Sequence, residues 1–229
     1  MRTHRFYVGE KLKLKADFWV HDPGLLWQWN RVLRFKPGQK VSMFDGEGTD
    51  RLYEVVEISK AEAHLKLITE LKPIIPKPHV YLFWSLLKKD NNDHVLQKCT
   101  ELGVSNFVPL ITSRAIRTNF NMARAEKIVV EASEQCGRSN IPTVREPMHL
   151  SKAIEQYKDH LSFIVCEHGE SRGFIPKDKE KYGLLIGPEG GWSEEERKLF
   201  KGLKLLHLSL SNHTLRAETA TVVAASKLL

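Results

Sequence analysis

The sequence of 229 residues has little cysteine, no long apolar run and no metal-ligand spacing, and each absence excludes a class of protein. The three cysteines, Cys99, Cys136 and Cys166, are far apart and form no Cys-x-x-Cys pair, which excludes a disulfide scaffold and predicts reduced, mostly buried thiols in a cytoplasmic protein. The longest mostly apolar stretch, Val80 to Leu87, is far shorter than the roughly 20 residues that cross a membrane. The histidines show no His-x-x-x-His spacing, so we expect neither a membrane span nor a metal.

Positive charge is in excess and is concentrated near the N-terminus. The net charge is +7, and residues 1–40 alone carry nine Lys or Arg against three Asp or Glu. Such an excess favours an anionic partner, most often nucleic acid, although a solvated surface that aids solubility gives the same pattern. Trp19, Trp27 and Trp29 lie in this region and are able to stack on bases. We expect them in the core, because tryptophan is more often buried.

A proline-rich segment, residues 71–79, predicts a stiff connector between two domains. Before it, β-type patterns predominate, with one helix over Leu25 to Leu33 that Pro37-Gly38 would end. The predicted strands are His4 to Val8, Lys40 to Phe44, Arg51 to Ile58 and residues 63–69. Residues 1–72 are therefore predicted to form a small β-barrel-like domain.

After the connector, apolar strands alternate with amphipathic helices. The predicted strands are Val80 to Leu86, Phe107 to Ile111, Leu161 to Cys166, Leu184 to Ile186 and Leu205 to Leu210. A helix capped by Asn92 or Asp93 would end at Gly103, and a later one would end at Gly202. This alternation predicts a parallel sheet covered on both faces over residues 73–229, with ligands bound beyond the carboxyl ends of its strands.

The sharpest ligand signal follows the strand that ends at Ile186. Residues 187–191 read Gly-Pro-Glu-Gly-Gly, and a helix begins at Ser193 with Glu196 completing a capping box. Three glycines in five residues favour close approach of the backbone to a ligand over a simple turn. Glu189 and Glu194 to Glu196 would repel a polyphosphate, and no Walker A or Gly-x-Gly-x-x-Gly motif is present. The loop therefore favours a neutral or cationic ligand such as S-adenosylmethionine.

Cys166 and His168 are a conceivable nucleophile pair. Cys166 ends an apolar strand, however, so we expect it in the core.

Two motifs carry a resemblance to a known family. Ile186 to Ser193 read Ile-Gly-Pro-Glu-Gly-Gly-Trp-Ser, and Leu215 to Ala220 read Leu-Arg-Ala-Glu-Thr-Ala. With these motifs in this order, the chain resembles the RsmE family, ribosomal small-subunit RNA methyltransferases that act on uridine N3. The likeness covers nearly the whole chain and includes His4 to Val8 and residues 32–34, 44–46, 98–104, 113–114 and 134–138.

The resemblance implies a PUA-like β-barrel domain for RNA over residues 1–72. It implies a SPOUT methyltransferase domain over residues 73–229, an α/β domain whose deep trefoil knot forms the cofactor pocket. The implied cofactor is S-adenosylmethionine without a metal, the implied substrate is 16S rRNA of the small ribosomal subunit, and the implied assembly is a homodimer. Cofactor contacts are then expected at Glu167, Ile186, Gly187, Glu189, Gly190, Gly191, Leu210, Asn212, Leu215 and Thr219.

The expected catalytic residues are Arg216 and Glu218. Methyl transfer needs the N3 anion of the uridine held close to the methyl group. Arg216 would stabilise negative charge on the uracil oxygens, and Glu218 would accept the N3 proton or orient Arg216. The competing interpretation is an ion pair at the start of a helix.

RNA contacts are expected at Arg5, Arg34, Arg114 and Arg138. Arg114 and Arg138 have a structural alternative, since Arg138 follows the end of a helix, where a cation is favoured.

The third loop departs from the family pattern. Ser211, His213, Thr214 and Ala217 stand where the family has Gly, Arg, Ile and Thr. A serine would be strained if position 211 needs a positive φ, so the departure bears on loop geometry. Two other functions stay open: an RNA-binding assembly factor without catalysis, and a SPOUT methyltransferase for another RNA such as tRNA.

Overall fold

The computed structural model describes residues 3–9, 15–115, 119–168 and 179–229. Its contacts divide the chain into two units, residues 1–75 with 133–141, and residues 76–132 with 142–229. The predicted boundary lies at 72/73, and residues 133–141 are predicted to belong to the second domain. Within the described ranges, no helix combines the length and the apolar character needed to cross a membrane.

The first unit is built on a five-stranded sheet. Its strands are β1 (His4–Tyr7), β2 (Asp17–Val20), β3 (Lys40–Phe44), β4 (Asp50–Ile58) and β5 (Ala63–Glu70). Their order is β1-β3-β4-β5-β2, with β1 and β3 parallel and the other neighbours antiparallel. Strand β2 is not predicted, because four alternating residues give a weak periodic signal.

One apolar core is shared by the whole sheet. Phe6 of β1 and Phe18 of β2 come from opposite edges of the sheet, yet both pack in the cluster around the fully buried Trp29. The sheet therefore curls around this core, as a barrel-like domain requires. The prediction of buried tryptophans is wrong for Trp19 and Trp27, which are 41% and 63% exposed. Trp19 lies on the exposed face of β2, and both of its neighbours in the strand are buried.

The helical segment of this unit ends at Leu33, as the sequence predicts, but a different residue stops it. Helix α1 (Pro23–Trp27) is capped by Asp22, whose Oδ1 accepts from the amide of Leu25 at 2.8 Å. The chain continues as a π-helix over Gln28–Leu33 and ends at Arg34, which has a left-handed φ of 54°. Arg34, rather than Pro37-Gly38, is thus the stop.

A buried carboxylate joins residues 133–141 to the first sheet. Asp50 is 3% exposed and accepts from Ser42 Oγ at 2.8 Å and from Ser139 Oγ at 3.0 Å. The amide of Ser139 donates to the carbonyl of Ile74 at 2.8 Å, and the amide of Ile74 donates to Ser139 Oγ at 2.9 Å. Ser139 is 89 residues from Asp50 and 65 residues from Ile74, which is why no local pattern predicts these contacts.

The second unit contains a seven-stranded sheet, and its wholly parallel arrangement is as predicted. Its strands are β6 (His79–Ser85), β7 (Asn106–Ile111), β8 (Thr143–Val144), β9 (Met148–His149), β10 (Ser162–Glu167), β11 (Lys181–Ile186) and β12 (Leu206–Ser209). Their order is β12-β10-β11-β6-β7-β8, and β9 also pairs with β7. The two-residue strands β8 and β9 are too short to be read from the sequence.

The helices of this sheet are α2 (Lys89–Leu102), α3 (Met122–Cys136), α4 (Leu150–Tyr157), α5 (Glu194–Gly202) and α6 (Ala217–Leu228). Helices α2 and α6 pack against each other, and α6 also packs on β6 and β11. The connection from β10 to β11 lies partly outside the described residues, so the trefoil threading stays a prediction.

Helix α2 begins one turn before the predicted cap. Lys88 occupies the N-cap position, and the side chain of Asn92 points into the core instead. Its Oδ1 accepts from Trp84 Nε1 at 3.0 Å and from the amide of Leu87 at 3.1 Å, and its Nδ2 donates to the carbonyl of Leu87 at 2.8 Å. The predicted stop at Gly103, with φ of 110°, is confirmed, and α5 ends at Gly202 as predicted.

Candidate functional site

The glycine loop, residues 187–191, connects β11 to α5. A turn closes it, because the amide of Gly191 donates to the carbonyl of Pro188 at 2.8 Å. The capping box of α5 is confirmed: Ser193 Oγ accepts from the amide of Glu196 at 3.2 Å, and Glu196 Oε2 accepts from the amide of Ser193 at 2.7 Å. The sheet and the helix cap therefore fix both ends of the loop.

The three glycines of the loop differ in their surroundings. A Cβ at Gly187 would lie 3.0 Å from the indole of Trp192, and a Cβ at Gly190 would lie 3.4 Å from the Cβ of Arg114. Gly191 has open space around it but a φ of +68°, which L-residues rarely adopt. Gly187 thus allows the indole of Trp192 to approach and Gly191 permits the turn, whereas a Cβ at Gly190 would make ordinary contact with Arg114.

A cavity of about 220 Å³ opens at the carboxyl ends of β10, β11 and β12. This is where the predicted parallel sheet places a ligand. Seven of the ten predicted cofactor residues line it: Glu167, Ile186, Gly187, Glu189, Gly191, Leu210 and Leu215. Gly190, Asn212 and Thr219 are exposed and do not line it.

Trp192 and Arg197 are among the lining residues that the sequence does not assign to the cofactor. Trp192 is 2% exposed, and its indole Nε1 has no hydrogen-bond partner within the described parts of the chain. Arg197, on α5, donates from Nε to Glu167 Oε1 at 3.2 Å. The other oxygen of Glu167 lies 3.4 Å from His207 Nδ1. For Trp192 the sequence offers one signal of a place in the cavity wall, its position directly after the glycines. For Arg197 it offers none, because the partner of its ion pair lies 30 residues away.

The four residues of the third loop that depart from the family pattern also line this cavity. Ser211 is not strained, since Arg34 and Lys204 are the non-glycine residues with positive φ in the described ranges. Its hydroxyl accepts from the amide of His213 at 3.1 Å, which stabilises the loop. The departures therefore change the chemistry of the cavity wall while the loop keeps an ordinary backbone.

Cys166 is a core residue, as expected. It is 7% exposed at the end of β10, and burial raises the pKa of its thiol to about 12. A thiol with that pKa is neutral at physiological pH, so it is a poor nucleophile.

The two expected catalytic residues lie at the start of α6. Arg216 is exposed at the N-cap, and Glu218 is half-buried in the first turn. Glu218 Oε2 accepts from Nδ2 of Asn91, on α2, at 3.2 Å. Among the described residues no ion pair joins Arg216 to Glu218, which removes the competing interpretation of the pair. Ala217 and Ala220 of the same helix line the cavity, so this turn adjoins it.

Two of the four predicted RNA contacts are structural residues of the first unit. Arg5 forms an ion pair with the buried Asp50, donates to the carbonyl of Arg138 at 3.0 Å, and lies over the ring of Phe44 at 4.7 Å. Arg138 is 2% exposed, and burial lowers its pKa to about 10. Guanidinium groups in these positions do not fit the predicted contacts with RNA phosphates.

The other two predicted RNA contacts are exposed. Arg34 lies on the first unit, immediately after the π-helix. Arg114 follows β7 in the second unit and donates from Nη1 to the carbonyl of Gly190 at 2.9 Å.

Comparisons with known proteins agree with this architecture. A family model for an RNA methyltransferase domain matches residues 75–229, and one for an RNA methyltransferase PUA domain matches residues 31–68. A ribosomal RNA small subunit methyltransferase E from Rickettsia conorii is 26% identical over 99% of this chain and 95% of its own length.

Two solved structures are similar over almost the whole chain. The ribosomal RNA small subunit methyltransferase E from Neisseria gonorrhoeae, bound to S-adenosylmethionine, has a TM-score of 0.89 and 27% identity over 99% of this chain and 97% of its own. A methyltransferase from Legionella pneumophila, in complex with the same cofactor, has a TM-score of 0.87 and 30% identity over 100% of this chain and 97% of its own. The PUA-like first unit and the SPOUT-type parallel sheet predicted from the sequence are confirmed. The chain belongs to the ribosomal RNA small subunit methyltransferase E family.

Proposed function

We propose that this chain transfers a methyl group from S-adenosylmethionine to N3 of a uridine in the 16S rRNA of the small ribosomal subunit. The cavity between the glycine loop and the first turn of α6 carries the proposal. Full-length similarity to two structures that hold S-adenosylmethionine supports it, as does similarity to a ribosomal RNA small subunit methyltransferase E.

The walls of the cavity fit this cofactor. Glu167 and Glu189 place carboxylates there, which suit ribose hydroxyls and cationic groups, and Arg197 is paired with the first of them. The buried indole N–H of Trp192 is available to an acceptor on a ligand. The same carboxylates disfavour a triphosphate by like-charge repulsion. We therefore expect S-adenosylmethionine to bind in preference to ATP.

When bound, S-adenosylmethionine supplies a methyl group on a sulfonium, and the start of α6 prepares the acceptor. Asn91 holds Oε2 of Glu218, which fixes the carboxylate and leaves Oε1 to take the proton from uridine N3. Arg216, exposed and without an ion pair to a described carboxylate, stabilises the negative charge that spreads onto the uracil oxygens. Both side chains stand on the turn whose alanines line the cavity.

We assign the main RNA contact of the first unit to an exposed basic segment around Arg34. Four basic residues in residues 31–40 are exposed, and none of them pairs with a described carboxylate: Arg31, Arg34, Lys36 and Lys40. Uncompensated cations of this kind bind phosphates and release counterions. A cytoplasmic location follows from the ribosomal substrate.

Calorimetry of the RNA-free protein tests the cofactor assignment. S-adenosylmethionine and its demethylated product should bind one per chain, and ATP at the same concentration should bind far more weakly. Equal or tighter binding of ATP would contradict the assignment, because the carboxylates of the cavity would then not select the ligand.

We also propose that the chain works as a homodimer, on the basis of the family to which it belongs. Sedimentation at micromolar concentration should give about twice the chain mass of 26.3 kDa. A monomer that methylates RNA at full rate would refute the dimer.

A further inference from the structure

The loop after β7 is joined to the glycine loop by two neighbouring residues. Arg114 Nη1 donates to the carbonyl of Gly190 at 2.9 Å, and the amide of Ser113 donates to Glu196 Oε1 at 3.0 Å. The two contacts reach opposite ends of one short segment, the tip of the glycine loop and the first turn of α5. Two adjacent residues therefore brace this segment from another part of the sheet.

The Ser113 contact is built into a buried capping box. Glu196 is 7% exposed, and its second oxygen accepts from the amide of Ser193 at 2.7 Å. Both oxygens of this carboxylate are thus hydrogen-bonded, which offsets the cost of burying its charge. The hydrogen bond from Ser113 to Glu196 therefore fixes the position of the next residue, Arg114, beside the loop.

Gly190 shows how Arg114 packs against the loop. A Cβ on Gly190 would lie 3.4 Å from Cβ and 3.6 Å from Cδ of Arg114, and the φ of Gly190 is not in the left-handed range. The aliphatic stem of Arg114 therefore packs against the loop at ordinary contact distance, and neither this contact nor a left-handed φ requires glycine at position 190. Gly190 does not line the cavity, whereas Gly187, Glu189 and Gly191 do, so Arg114 reaches the part of the loop that does not face the cavity.

We propose that Arg114 is a positioning residue for the cofactor loop and not an RNA contact. Its guanidinium holds the Gly190 carbonyl, and its stem packs on the glycine, so that Glu189 and Gly191 on either side keep their places in the cavity wall. The inference rests on the proposed function, since it assigns Arg114 to the binding of S-adenosylmethionine.

The test compares Arg114→Ala and Arg114→Lys with Arg34→Ala, which removes an exposed arginine from the basic segment of the first unit. Calorimetry with S-adenosylmethionine on the RNA-free protein should show that Arg114→Ala raises the Kd about three- to tenfold, the effect of losing one partly exposed hydrogen bond. The KM for S-adenosylmethionine should rise in parallel, while kcat at saturating cofactor stays unchanged. Arg114→Lys should recover part of the affinity, because an ammonium is still able to donate to the Gly190 carbonyl.

RNA binding should separate the two arginines. Arg34→Ala should lower RNA affinity and reduce the log–log salt slope by about 0.7 to 0.9, with cofactor Kd unchanged. Arg114→Ala should leave that slope as in the wild type. Hydrogen exchange should be faster at the amides of residues 189–192 in Arg114→Ala and unchanged in the strands, which shows that the variant is folded.

Each contrary outcome has a distinct meaning. If wild-type protein does not bind S-adenosylmethionine, the proposed function itself is wrong. If the wild type binds and Arg114→Ala binds within twofold of it, the positioning role is overturned. If Arg114→Ala also lowers the RNA salt slope, Arg114 is a phosphate contact.

Discussion

Gly191 offers a direct test of the geometry of the glycine loop. Its φ of +68° costs an L-residue roughly 1–2 kcal/mol, while alanine lowers the entropy of the unfolded chain and recovers about 0.4–1 kcal/mol. Gly191→Ala should therefore lower the free energy of unfolding by about 1 kcal/mol. Apart from the two chain neighbours, no atom of the described residues lies within 4 Å of the added Cβ, so the loss comes from backbone strain.

Gly190→Ala is the matched control. Gly190 lacks a left-handed φ, and its added Cβ makes ordinary contact with Arg114 at 3.4 Å. The entropy gain then has no strain to oppose it, and the variant should be as stable as the wild type or slightly more stable. The two alanine variants should differ by about 1–2 kcal/mol, although they are adjacent in sequence.

Thermal unfolding of the cofactor-free protein measures this difference. For a chain of this length, 1 kcal/mol corresponds to about 2–4 °C in Tm. The Tm of Gly191→Asn should lie between the Tm values of the wild type and of Gly191→Ala, since asparagine tolerates the left-handed region better than alanine. If Ala at 191 is no less stable than Ala at 190, the strain argument is refuted.

Three further predictions follow from individual contacts. Arg5→Ala should lower the free energy of unfolding by about 3–5 kcal/mol, because it leaves the carboxylate of Asp50 buried without its cation; urea denaturation measures this, and a loss below 1 kcal/mol would contradict it. Ser193→Ala removes the cap of α5 and should lower the free energy of unfolding by about 1 kcal/mol. An unchanged value in the same titration would contradict the role of the capping box. Iodoacetamide at pH 8 should alkylate the exposed Cys136 first and Cys166 after unfolding. The folded-state pKa of Cys166 is raised from 9.0 to about 12, so the stability linked to its neutral thiol is present below pH 9 and is lost as the pH rises toward 12. Early alkylation of Cys166 in the folded protein would show that it is accessible.

The sequence predicts those features that depend on local patterns. Apolar periodicity locates the long strands of both sheets, and the alternation of strands and helices predicts the parallel sheet. The carboxyl-end rule then predicts where the cavity opens. Most of the cofactor residues that the family resemblance implies line that cavity.

The sequence does not predict pairings between distant residues. Arg5 meets Asp50 across 45 residues, and Arg114 meets Gly190 across 76, so both arginines look from the sequence like free cations on a surface. The sequence predicts Asn92 or Asp93 as a helix cap because both residue types favour that position, but the carboxamide of Asn92 accepts a hydrogen bond from the buried Trp84 indole. In each case a tertiary contact decides the role of the residue, and a single sequence does not reveal which residues make that contact.

Methyl transfer to the ribosome tests the central claim most directly. The protein is incubated with S-adenosylmethionine labelled in its methyl group and with small ribosomal subunits that lack the modification, and the labelled nucleoside is isolated and mapped. We expect one labelled methyl group per subunit, on N3 of a single uridine in 16S rRNA, and loss of the label in Glu218→Gln protein that still binds the cofactor. Absence of label from the RNA, or label on another base or on tRNA alone, would contradict the proposed function.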